Sequence, residues 1–205
     1  MSFISIDSAS LSTQEAYKLI CGAVVPRPIA WISSVNKGGL VNIAPFSSFN
    51  YVAHSPPMLA VNIGSREGGL KDTASNIVKT KEFVVNVATI DTMNSMHQTS
   101  AEYPPNVSEA SELGIELIAS THIKVPRIKS SPIQMECRVV KKLNLGIGLN
   151  TLYIGEVLAF HIESSLYDGN YIDSVKLRPI ARLGGPFYAE LGKIHTLQAL
   201  QQPPK

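Results

Sequence analysis

Ile133-Gln134-Met135-Glu136-Cys137-Arg138-Val139-Val140-Lys141-Lys142-Leu143 opens with a strict alternation. Ile133, Met135, Cys137 and Val139 face one way, and Gln134, Glu136 and Arg138 face the other. A side-chain period of two marks a strand with two distinct faces. Residues Asn144 to Asn150 then turn the chain, and Thr151 to Ile162 returns as a second long strand. The two together read as a long β-hairpin.

Working outward, a second hairpin lies upstream. Ile29 to Val35 is β-prone, with Ile29, Trp31 and Ser33 on one face and Ala30, Ile32 and Ser34 on the other. Asn36-Lys37-Gly38-Gly39 supplies residues that tolerate positive φ, and Leu40 to Ala44 can return antiparallel. Pro45 cannot donate to a ladder, so it ends that strand or sits at a sheet edge. Met58 to Ile63 and Phe83 to Val87 read as further strands, and Asp168-Gly169-Asn170 as a turn.

Helices are few. Ser12 with Glu15 forms a capping box, and Gly22 is placed to stop the helix that follows. Asp72 or Thr73 can start a second helix, with Ile77 and Val78 on its buried side and Lys79 and Lys81 near its end. Met93 to Ser100 and Ser108 to Leu113 are short helical stretches. Tyr103 to Pro132 is a long excursion, and Gln198 to Lys205 a polar, Pro-rich tail expected to fray or to serve in contacts. The expected class is mostly β with peripheral helices: an antiparallel barrel with helices outside it, as a single domain over residues 1–205.

Composition narrows the function classes. A chain of 205 residues can bury roughly 70% of its unfolded surface and needs no disulfide to fold. Charged residues make up 17%, against about 25% in typical domains. With 44% hydrophobic residues this excludes a solvated disordered chain, and the sparse charge points to an oligomer. A net charge of +2 provides no broad field for nucleic acid or a membrane surface. No basic start precedes an apolar core, and no apolar run nears the ~18 residues of a membrane helix, so a cytoplasmic location is expected. Cys21 and Cys137 lack metal-site spacing and read as two buried thiols in a reducing compartment.

The common catalytic signatures are absent: no GxSxG, HExxH or GxxxxGK[ST]. Gly146-Ile147-Gly148 lies between two strands, not between a strand and a helix, which argues against a dinucleotide fingerprint. No pair of the five histidines has metal-ligand spacing on a helix face. No catalytic acid, base or nucleophile and no metal site is therefore assigned. Two stretches carry more information. Gly64 to Thr73 is a Gly-rich turn running into a helix, with Arg66, Lys71 and the Thr73 hydroxyl. Converging N–H donors beside cations suit a phosphate; the bland alternative is a solvated turn with two surface cations. Asp72 could cap the helix, repel an anion or bond a neutral part of a ligand. Asn42 to Phe49 sets hydroxyls and backbone amides between bulky apolar side chains, which suits a flat heteroaromatic ring. Alone, it also reads as a strand end with a Pro turn and core phenylalanines.

Taken together, Arg27 to Ser34, Asn42 to Phe49, Lys71-Asp72-Thr73 with Asn76-Ile77, Phe83 to Val87, and Leu183-Gly184-Gly185 with Tyr188 resemble the flavin reductase-like family, the FMN-binding split-barrel proteins. The order and spacing run over roughly residues 20–190. The resemblance implies a six-stranded antiparallel split barrel, a homodimer, and FMN (or FAD) held non-covalently near the dimer interface. It implies that Pro45, Phe46, Ser47, Ser48 and Phe49 border the isoalloxazine, with Trp31 and Ser33 beside it. Ser65, Arg66, Lys71 and Thr73 become the phosphate candidates, Asn62 and Asp72 weaker ones, and Arg27 a phosphate contact or an interface ion pair. Arg182 and Tyr188 match the family's closing motif. The implied activity is an NAD(P)H-dependent flavin reductase, with NADH or NADPH passing hydride to flavin N5. Two other classes stay open: an FMN-carrying electron-transfer protein reduced by a partner protein, and a flavin-free dimeric interaction module.

Overall fold

The computed structural model describes residues 1–66, 69–147 and 150–198. Glu67 and Gly68 of the Gly64–Thr73 turn, Gly148 of the Gly146–Gly148 fragment and residues 199–205 of the Pro-rich tail thus lie outside the described residues. The seven strands that matter here are β1 (Ala30–Val35), β2 (Val41–Phe46), β3 (Phe49–His54), β4 (Pro57–Arg66), β5 (Glu82–Val87), β6 (Ile133–Leu145) and β7 (Asn150–Ile162). The helices are α1 (Thr13–Ala23), α2 (Asp72–Thr80), α3 (Met93–Gln98), α4 (Glu109–Glu112) and α5 (Ser174–Leu177). No helix among the described residues is long and apolar enough to cross a membrane.

The long hairpin forms as read, β6 against β7 from Ile133 opposite Ile162 to Leu145 opposite Asn150. Bulges fall between Glu136 and Cys137 and between Val139 and Lys141. They bend a long strand and tighten its twist, which lets a sheet roll. Strand order is β2-β1-β5-β6-β7-β4-β3, antiparallel throughout, with Gly69–Leu70 pairing onto β4. Among the described residues the sheet thus counts eight strands, where the resemblance implies six. The unforeseen ones are β3 and the Gly69–Leu70 pair.

The sheet curls around one core. Ala30 and Ile32 of β1, Phe46 of β2, Leu59, Val61 and Ile63 of β4, Phe83 and Val85 of β5, Cys137, Tyr153 and Val157 form a single cluster, which Ala74 and Ile77 of α2 close. Strands from both ends of the path meet in it, so the sheet encloses its interior. Asn62 N–H donates to the Ser48 carbonyl at 2.8 Å and ties the β2–β3 link to β4. Gly155 of β7 is required there. A Cβ at that position would stand 2.6 Å from Phe83 Cζ and 3.3 Å from Cys137 Cβ. Gly155→Ala is expected to cost about 1–3 kcal/mol as overpacking, read as a lower denaturation midpoint with an unchanged m-value.

A second cluster covers the outer face of the sheet. Ile29, Trp31 and Ile43 pack there against Met96 of α3, Ala110 of α4 and Ile128 from the Tyr103–Pro132 excursion. That excursion is the lid on this face. Leu117–Ile118 pairs with Arg127–Ile128 to give it a small sheet of its own. Pro45 lies inside β2, at the open edge of the main sheet, where its missing N–H breaks no ladder.

Two local expectations are corrected. The Ser12–Glu15 capping box is present, but α1 runs through Gly22 to Ala23, with Val24 as its C-cap. Cys137 is buried, whereas Cys21 is only half-buried, because α1 buries none of its residues. Lys81 closes α2 in the left-handed region at φ 61°, an uncommon conformation for a residue with a side chain.

Candidate functional site

The N-terminus of α2 faces a cleft. Lys71 is its N-cap and makes no side-chain capping bond, so among the described residues the first-turn N–H groups have no side-chain acceptor. The first N–H groups of any helix lack partners within the helix, and its dipole favours negative charge there. The Lys71 side chain is exposed beside them. Arg66, the last residue of β4, is already engaged. Its Nη1 and Nη2 donate to Asp72 Oδ2 and Oδ1, each at 3.1 Å, a planar fork on a planar carboxylate. Both side chains are about one-third exposed, so water screens the pair.

The inner wall is a polar chain. Thr73 is 1% exposed. Its Oγ1 lies 2.8 Å from the Asn42 amide, and with the Asn42 nitrogen turned toward Glu109 Oε1 (3.2 Å) the amide oxygen accepts from Thr73. This orientation leaves no acceptor facing an acceptor. Glu109 Oε2 accepts from Ile43 N–H at 2.8 Å on the open edge of β2. Burial pushes the Glu109 carboxyl above its ordinary range and the Asp72 charge pushes the same way, against the pull of backbone N–H donors. With its hydroxyl proton on Asn42, Thr73 has only lone pairs and its backbone N–H to present to the cleft.

Ala44, Pro45 and Phe46 of β2, Arg66, Lys71, Asp72 and the Thr99–Tyr103 segment enclose a cleft of about 190 Å³. A neighbouring space of about 330 Å³ shares Asn42, Arg66, Asp72 and Glu109 as its wall. A depression of about 80 Å³ shares Pro45, Phe46 and Ser100 and adds Ser47, Arg182 and Tyr188. The structure therefore brings Pro45, Phe46, Arg66, Lys71, Asp72 and Thr73 to one cleft, with Ser47 around its corner.

Other expected residues fall elsewhere. Trp31 is fully buried on the outer face of β1, with Nε1 donating to Thr99 Oγ1 at 2.9 Å. Ser33 is also fully buried and donates to the Pro126 carbonyl at 2.6 Å. Neither side chain has surface to offer a ligand within this chain. Arg27 binds the carbonyls of Cys21, Val24 and Leu183, so it latches the end of α1 to the C-terminal segment and meets no acid among the described residues. Ser48 is exposed at the β2–β3 link, and Phe49 packs against the barrel core. Asn62 sits opposite Ser48 and donates to Asn150 at 3.3 Å, while its Oδ1 is buried without a partner. Ser65 is half-buried, paired with Leu70. The residue that sequence reasoning missed is Glu109. It sits on the excursion and reaches Ile43 across 66 positions, so no local spacing could have announced it.

This arrangement combines an uncapped helix N-terminus with a cation, an apolar strand edge and carboxylate-anchored amides. It suits a ligand with an anionic tail and a flat head, and among the described residues it contains no nucleophile with a paired base. Nitrilotriacetate monooxygenase component B from Bacillus cereus superposes with a TM-score of 0.93 at 36% identity, over 96% of this chain and 100% of that one. The 2-nitrobenzoate 2-nitroreductase NbaA of Pseudomonas fluorescens gives 0.90 at 32% identity, over 98% and 99% of the two chains. At 21% identity, a split-barrel-domain protein from Shewanella frigidimarina NCIMB 400 shares the fold, with a TM-score of 0.81 over 94% and 96% of the chains. The family model described as "Flavin reductase like domain" matches residues 22–176, and with that match the chain belongs to the flavin reductase-like family.

Proposed function

We propose that the protein binds FMN in this cleft and acts as an NAD(P)H-dependent flavin reductase. The observation that carries the reading is the uncapped N-terminus of α2 with Lys71 beside it, opening onto the apolar edge of β2. The residues fit the group. The α2 first-turn N–H groups and Lys71 would hold the phosphate, with Arg66 contributing from its pair with Asp72. Ala44, Pro45 and Phe46 would lie against the ring, and Ser47 would border its polar rim. The chemistry such a group supplies is two-electron transfer, hydride in and electrons out, and the hydride step needs no acid or base from the protein. The protein's work is to hold the ring with one face open and to place N–H donors and positive charge where the reduced form is anionic.

A homodimer belongs to the same reading. Helix α1 buries none of its residues within the chain, yet Tyr17 is 66% and Ile20 63% exposed. Apolar side chains left open along one helix are what a second copy would cover.

Purified protein is expected to be yellow and to bleach anaerobically with NADH or NADPH, as followed by its absorbance spectrum. A yellow protein that neither nicotinamide reduces would move the assignment to an electron carrier fed by a partner protein. A colourless protein that FMN does not reconstitute would overturn the flavin reading in favour of an interaction module.

A further inference from the structure

Tyr188 and Arg182 line the depression that Pro45, Phe46 and Ser47 wall, and His97 joins Tyr188 from the solvent side. Arg182 Nη1 lies 2.7 Å from Tyr188 Oη, and its Cζ stands 4.7 Å from the centre of the Tyr188 ring. Its Nε and Nη2 are held by the Gly185 carbonyl at 3.1 and 2.7 Å, so the guanidinium is locked. His97 Nδ1 is 2.9 Å from the same phenol oxygen, with the two rings edge to face.

The direction of these bonds follows from chemistry. A guanidinium only donates, so the phenol oxygen accepts from Arg182. The phenol then has one proton to place. It gives that proton to a neutral His97 Nδ1, or it accepts from a protonated Nδ1 and turns its own proton toward the depression. His97 is exposed and exchanges with water; Tyr188 is half-buried and lines the depression. The pair thus connects solvent to the space beside the strand edge. The phosphate end of the cleft makes no use of it.

We propose that His97 and Tyr188 form a proton relay serving the reduction of a quinone-type acceptor at the open side of the ring site. The proposal rests on the flavin reading above. A quinone becomes a hydroquinone by gaining two electrons and two protons. A hydride, drawn ultimately from the nicotinamide, accounts for both electrons and one proton. The second proton passes from Tyr188 Oη to the quinone oxygen; His97 restores it to Tyr188, and water restores it to His97.

Two measurements test this. The first needs no flavin: ¹⁵N NMR of the His97 ring. Tyr188→Phe keeps the ring and loses the hydroxyl, so the Nδ1 resonance is expected to leave its hydrogen-bonded position. An Nδ1 signal unmoved by the substitution overturns the relay. The second is stopped-flow on the holoprotein with menadione. Tyr188→Phe and His97→Gln are each expected to lower the rate of acceptor reduction, relative to the rate of flavin reduction by nicotinamide, by about tenfold or more. They are also expected to flatten its pH profile. A ratio within about twofold of wild type, with the profile intact, overturns the proposal. Wild-type protein that takes up no flavin overturns the functional reading and the relay with it, and so is told apart from failure of the relay alone.

Discussion

Replacing both Arg66 and Lys71 with Ala is expected to weaken FMN by about a hundredfold or more while leaving riboflavin nearly unchanged. The two ligands differ only in the phosphate, so the difference isolates the anion site. A charge-assisted contact is worth roughly 1.5–3 kcal/mol, which sets about tenfold or more per residue. The geometry also ranks the two. Arg66 already spends its fork on Asp72, so part of its charge is neutralised before any ligand arrives. Lys71 stands at the helix N-terminus, where its charge adds to the dipole. Lys71→Ala alone should therefore cost more than Arg66→Ala. Asp72→Asn should have the opposite sign. It releases the Arg66 fork and removes a carboxylate from beside the phosphate, so FMN should bind several-fold tighter. Isothermal titration of FMN and riboflavin on each variant checks all three. Equal losses for both ligands in the double variant would remove the phosphate from this end of the cleft.

Much of the scaffold was legible because its signals are local. The β6–β7 hairpin shows a period of two, α1 its capping box, and α2 its start at Asp72. Strand β3 gave no such signal. It is an edge strand with a register shift between Tyr51 and Ala53, and Tyr51 and Val52 stand exposed, so neither face reads as core. The grouping of Ile29, Trp31 and Ser33 on one face holds, but no local signal marked that face as buried. Residues Ala30 to Ser34 are all buried, because the barrel core covers one side and the excursion the other. A strand buried on both faces loses the polar contrast that would orient it. Glu136 hid for the same reason: alternation put it opposite Cys137, and only the excursion makes that opposite side an interior. The α2 end of the cleft was legible as a turn entering a helix. The Glu109–Asn42–Thr73 chain was not, since tertiary packing alone assembles it.

Glu136 carries the other large effect. Its side chain is fully buried, and Oε1 accepts from Thr121 N–H at 2.7 Å, from the Thr121 hydroxyl at 3.0 Å and from His161 Nε2 at 2.6 Å. Oε2 accepts from His122 N–H at 2.7 Å. Burial by itself would raise the Glu136 pKa, but these donors outweigh it and bring it from 4.5 down to about 2. A carboxyl whose pKa is lowered on folding stabilises the fold above its unfolded value. The contribution, about 3 kcal/mol, should be whole above pH 4.5 and vanish as pH falls through about 2. Glu136→Ala should cost about 3 kcal/mol at pH 7 by leaving these donors without their acceptor. The gap between wild type and variant in denaturation midpoint should close steadily on acidification, and a gap constant from pH 7 to pH 2 would sink the assignment. The bonds pin Thr121 and His122 to β6, and the same excursion carries Glu109 into the cleft wall. Glu136→Ala should therefore loosen the wall as well as the barrel. FMN and riboflavin should then weaken together, because the phosphate end is untouched. That parallel loss, set beside the selective loss at Lys71 and Arg66, separates the residues that shape the cleft from those that hold the anion.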